Sequence, residues 1–211
     1  MRLIPVLAIT LLTVGSAVAQ NLPSTASSPR PPDSLPKDRH EGLTVSVDCY
    51  QDKERARATF GKENPVAVGI LPVEVFLRNE TAQPIRIKME TIQLAIHYDD
   101  GRHEDIDWLT VREVARAIAH PKGPSSPKQP RFPIGVQTGA DKKADQIFDD
   151  LKPMALDVDV LPPLGTIHGF LFFDLDHDMS LAARSSLYVP DVARIPSNKP
   201  LMFFEVSLGE K

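Results

Sequence analysis

The sequence predicts a mainly β protein, an antiparallel β-sandwich with two short helices in a long insertion. Three observations carry that expectation. At least seven short segments alternate apolar and polar side chains with a period of two. Turn-forming residues separate them, and the two segments with helical spacing lie together between about 105 and 153.

The first residues decide the expected compartment. Arg2 precedes an apolar run from Leu3 to Val14, and small residues follow, ending in Ala17-Val18-Ala19. That order is the charged, apolar and cleavage regions of a secretory signal peptide, so residues 1–19 are expected to be removed on export to a periplasm or the extracellular medium. The apolar run is too short to span a bilayer, and no later segment is long and apolar enough to do so. Residues 20–40 hold five prolines, four serines and few large apolar side chains. Such a segment cannot bury enough surface to offset its ordering entropy, and it is expected to be a disordered tether. The sandwich domain is then expected over 41–211.

Strands are read in order from the alternation. Leu43, Val45, Val47 and Cys49 share one face, and Cys49 is expected to pack as a small buried hydrophobe. As the lone cysteine it makes no internal disulfide, so the core must hold the fold. Val73, Val75 and Leu77 come next, then a polar turn ending at Pro84, then Ile85 and Ile87. Ile92, Leu94, Ile96 and Tyr98 line a strand that stops at Asp99-Asp100-Gly101, where Asp-Gly supplies the positive φ of a tight hairpin. Leu156, Val158 and Val160 alternate, Pro162-Pro163-Leu164-Gly165 turns the chain, and Thr166 to Leu175 follows as an aromatic strand. Met202, Phe204, Val206 and Leu208 close the series on one face.

Two helices interrupt the strands. Thr110-Val111-Arg112-Glu113 is a capping-box sequence, with Leu109 and Val114 placed as its hydrophobic staple. Val111, Val114, Ala115 and Ile118 form one apolar stripe, and Pro121 ends the helix. The second runs from about Asp141 to Lys152 with Ala144, Ile147, Phe148 and Leu151 on its apolar side. Between them, prolines 121, 124, 127, 130 and 133 recur at every third position, the spacing that lines proline rings along one edge of a polyproline II helix.

Charge and motifs exclude more than they assign. The chain carries 24 basic and 28 acidic side chains, a formal charge of −4 that becomes about −5 once Arg2 leaves with the leader. Nucleic acid is not expected as a partner, because phosphate binding needs clustered excess Lys and Arg. There is no G-x-S-x-G elbow, no Gly-rich phosphate loop and no C-x-x-C pair. His103-Glu104 approaches H-E-x-x-H, but Asp107 stands in place of the second histidine and the stretch follows a hairpin turn instead of lying on a helix. Asp174, Asp176 and Asp178 open like a calcium loop, yet Met179 and Ser185 occupy the positions of its turn glycine and bidentate glutamate. His168 is expected to be a sheet residue. Asn79-Glu80-Thr81 is an N-glycosylation sequon at an expected turn. No catalytic, metal or cofactor residue is assigned.

Leu71 to Asn79, then Pro84 to Ile87, then Leu94 to Gly101 resembles a pattern of exported bacterial immunoglobulin-like domains. Leu161 to Phe173 is similar to their later proline–glycine turn and aromatic strand. The resemblance implies an immunoglobulin-like sandwich and transfers no active site. The expected function is therefore non-enzymatic recognition of a protein or cell-envelope component, through the 121–133 loop or an exposed strand edge. A metal-dependent hydrolase using His97, His103 and nearby acids, or the acids of 174–178, and a calcium-stabilised structural envelope protein, are the rival expectations.

Overall fold

Alternation places the strands, and neighbours decide their order. In the computed structural model, which describes residues 32–121 and 141–209, the chain is mainly β with a few short helices. The elements are β1 (Lys37–His40), β2 (Leu43–Cys49), α1 (Lys53–Phe60), β3 (Ile70–Asn79), β4 (Ile85–Ile87), β5 (Gln93–His97), β6 (His103–Asp107), α2 (Val111–Ala119), α3 (Lys142–Leu151), β7 (Val160–Leu161), β8 (Thr166–Asp174), β9 (Ser185–Val189), β10 (Val192–Arg194), β11 (Lys199–Pro200) and β12 (Phe204–Ser207). They form three four-stranded antiparallel sheets, ordered β1-β2-β3-β8, β11-β10-β4-β7 and β12-β9-β5-β6.

The arrangement is sandwich-like. Leu43, Val45 and Val47 of β2, Val73, Val75 and Leu77 of β3, Leu94 and Ile96 of β5 and Phe204 and Val206 of β12 meet in one core cluster. A second cluster lies on the other face of the first sheet, where Tyr50, Ile70, Phe170 and Phe172 meet α1, α2 and α3. The middle of β3 is therefore buried on both faces, and eight consecutive residues from Ile70 to Leu77 are buried.

The helices start where their caps dictate. Thr110 and Glu113 complete the capping box of α2, and Asp141 caps α3 by accepting from the Ala144 N–H. Helix α1 lies outside the two expected helices. Asp52 caps it, Ala56 and Phe60 are its buried pair one turn apart, and Gly61 ends it at positive φ.

Four expectations change on contact with the fold. The expected tether reaches too far, since β1 pairs with β2 over Lys37–His40 and the folded unit begins before residue 41. Residues 1–19 and most of the tether lie outside the described residues, as do residues 122–133 of the proline loop. Leu156 and Val158 are buried without forming a strand, because the chain there crosses β8 at Gly169 and makes one bridge, Ala155 with Phe170. Met202 is 58% exposed and Leu201 is buried in its place, so the expected face begins at Phe204. Cys49 packs against the core but is partly exposed, being the last residue of β2.

Candidate functional site

The outer face of the first sheet divides into two parts. The helices cover one part, and along its border a buried polar chain replaces the apolar residues expected under a helical layer. Asp48 on β2 is 2% exposed and takes both terminal nitrogens of Arg55 on α1, with Nη1 at 2.8 Å. The Arg55 guanidinium lies 3.9 Å from the centroid of the Tyr50 ring. Tyr50 Oη donates to Glu74 Oε2 at 3.1 Å, and burial, with the Glu74 charge second, pushes its phenol up to about 12. Glu74 Oε1 in turn meets His168 Nδ1 at 3.0 Å, and the exposed imidazole stacks on Phe76. The buried Glu74 carboxylate thereby fixes the orientation of the exposed His168 imidazole.

Beyond Phe76 the uncovered part of the face is a shallow polar groove of about 260 Å³, lined by Lys37, Arg39, Thr44, Arg78, Glu80 and Thr166. Arg39 donates to Glu80 Oε2 at 2.6 Å and 3.0 Å, so much of the local charge is paired. Thr44 Oγ1 is buried with no hydrogen-bond partner among the described residues.

The two flanks of the β12-β9-β5-β6 sheet differ. On the β12 side β1 lies alongside: its Asp38 Oδ2 accepts from the Glu205 N–H of β12 at 3.1 Å, and just outside the two strands Glu41 Oε2 accepts from the Met202 N–H at 2.7 Å. His40 stacks on Phe204 at 3.9 Å and places Nε2 3.1 Å from Phe203 O. On the other side, β6 pairs with β5 and, among the described residues, with no further strand. The bond from Tyr98 N–H to Arg102 O closes the β5–β6 hairpin and fixes the alternation. The N–H and C=O of Glu104 and Ile106 therefore face β5, while those of His103, Asp105 and Asp107 point away from it. Among the described residues no backbone hydrogen bond from His103–Asp107 goes anywhere but to β5.

Two stretches singled out in the sequence come together at this end of the molecule. Arg184, just after the 174–178 loop, meets Asp99 of the hairpin at 2.7 Å. The Tyr98 phenol is raised chiefly by its hydrogen bond to Glu104, and Asp178 adds to the effect. Asp174 and Asp178 are turned to local work, accepting from the Asp176 and Ser180 N–H groups. His97 and His103 stack with ring centroids 6.0 Å apart, His97 near Glu205 and His103 2.8 Å from Asp105. Among the described residues no group of three His, Cys, Asp or Glu side chains is placed to hold a metal ion.

His168 is a sheet residue on β8, as its sequence context implies, but its link to Glu74 was not legible. The two residues lie 94 positions apart, and the one signal was an acidic side chain inside an otherwise aliphatic strand. Asn79 sits at the end of β3 and is 1% exposed. Its Nδ2 donates to Gln83 O and Pro162 O, so the sequon nitrogen is consumed inside the fold.

These features define a mainly β, sandwich-like protein with a half-covered outer face and an open acidic edge. No protein-family model, no curated protein and no solved structure matches the chain. No helix among the described residues is long and apolar enough to cross a membrane.

Proposed function

We propose that this chain is an exported immunoglobulin-like binding domain, without catalytic activity of its own, that recognises a protein or cell-envelope component. The observation that carries this reading is the contrast between the two flanks of one sheet. The Glu205 N–H of β12 is taken by Asp38 of β1, whereas the outward backbone groups of His103, Asp105 and Asp107 on β6 meet no backbone partner among the described residues. An open edge is a template for another chain, and strand addition is a common mode of peptide recognition.

Strand order supports the immunoglobulin-like assignment. β2-β3-β8 runs as the A-B-E strands of such a sandwich, and β12-β9-β5-β6 runs as G-F-C-C′. Export is supported by the leader-like residues 1–19. The 121–133 loop is the other contact surface proposed here.

The test is crosslinking in the native envelope and medium with a photoreactive residue at position 105, read by mass spectrometry. One reproducible partner, lost when Asp107→Pro removes an outward-facing N–H, supports the reading. Crosslinks that survive this change, or no partner at either position 105 or the 121–133 loop, overturn it.

A further inference from the structure

The chemistry of the open edge selects its occupant. β6 reads His103-Glu104-Asp105-Ile106-Asp107, with three carboxylates and no Lys or Arg. None of the three has a permanent cation as its hydrogen-bond partner: Glu104 accepts from Tyr98 Oη at 3.0 Å, Asp107 from Gln93 Nε2 at 2.9 Å, and Asp105 meets His103 Nε2 at 2.8 Å. The cations at this end are already engaged, Arg102 by Asp100 and Arg184 by Asp99. Ile106 alone of the five turns into the core, so the strand is held in place while its other four residues are exposed among the described residues.

From this geometry we infer that β6 accepts a basic, extended segment of a partner protein as a fifth strand beside it. The inference rests on the binding-domain reading and names the partner's chemistry. Incoming backbone groups meet the outward N–H and C=O of His103, Asp105 and Asp107. Lysine or arginine at alternate positions then stands across from Asp105 and Asp107, where opposite charges stabilise a cross-strand pair. A second copy of this chain is disfavoured at the same edge, because two β6 strands would set carboxylates against carboxylates. The strand thus repels its own kind and other acidic strands, while a basic one is drawn in.

The probe is a heptapeptide of alternating lysine and valine, added to the purified chain while amide hydrogen exchange is followed residue by residue. The expected result is slowed exchange at His103, Asp105 and Asp107, at least tenfold at low salt. It weakens with added salt and in the double variant Asp105→Asn, Asp107→Asn. The glutamate–valine counterpart should leave these amides unchanged. The lysine peptide N-methylated at every residue, which keeps its charge and loses the donors of both edges, should also fail. Unchanged amides with the lysine peptide overturn the inference, and so does equal slowing by the N-methylated form, which would mark charge attraction without strand addition. Equal slowing by lysine and glutamate peptides overturns the basic partner but leaves the binding-domain reading standing.

Discussion

Arg55 reaches from the first turn of α1 to Asp48 on β2 and grips both carboxylate oxygens at a site where Asp48 is nearly inaccessible to water. This side chain docks a largely polar helix onto the sheet beside its buried pair, Ala56 and Phe60. The Asp48 carboxylate holds the Arg55 guanidinium above its usual pKa range.

Arg55→Met should destabilise the fold by about 3 kcal/mol, since it leaves a buried carboxylate unpaired. Adding Asp48→Asn to that variant should recover part of the loss, because the uncompensated charge is then gone. Urea unfolding of the wild type, both single variants and the double variant measures the coupling. Additive losses would show that the pair does not act as a unit.

Tyr50 should make the folded state lose stability as pH rises from about 10 to about 12. The unfolded chain releases its phenolic proton near the ordinary value of about 10, while the folded chain keeps it longer. Over that window the unfolded state binds fewer protons, so unfolding becomes easier with each rise in pH. Replacing Tyr50 by Phe should flatten this slope, seen in urea midpoints taken across the window. It also removes one tyrosinate transition from the absorbance titration.

Asn79→Ala should cost about 1–3 kcal/mol, since Gln83 O and Pro162 O lose their buried donor. The same contacts predict that a folded chain secreted from a glycosylating host carries no glycan on Asn79. Intact mass and thermal unfolding check the two halves separately.

Gly169→Ala should destabilise by about 1–3 kcal/mol through overpacking. A β-carbon at this position would lie 2.6 Å from Leu156 N and 2.7 Å from Leu156 Cα, and these are backbone atoms that cannot rotate aside. Hydrogen exchange should show loosened protection at Leu156, whose N–H donates to Phe170 O. Unchanged protection would mean that the crossing can move without cost.

Local signals were legible in the sequence. The period-two faces of β2, β3 and β5, the Asp-Gly hairpin with Gly101 at positive φ, and the Thr110–Glu113 cap all follow from interactions within a few residues. The signals that failed were those a distant neighbour overrides. Leu156 and Val158 alternate like a strand, yet the close crossing at Gly169 denies them a ladder. Lys37–His40 reads as part of a proline-rich tether, yet β2 offers it an edge to bond.

By itself the sequence determined the mainly β character, most of the core faces and the acidic character of residues 103–107, because side-chain periodicity and charge are properties of the chain as written. Tertiary structure alone decided which strand became an open edge, which carboxylates were buried with partners, and that Asn79 was consumed by Gln83 and Pro162. Those outcomes depend on pairings between residues tens of positions apart. The free energy of a buried polar group is set by whatever lies against it in space, and neither composition nor spacing records that.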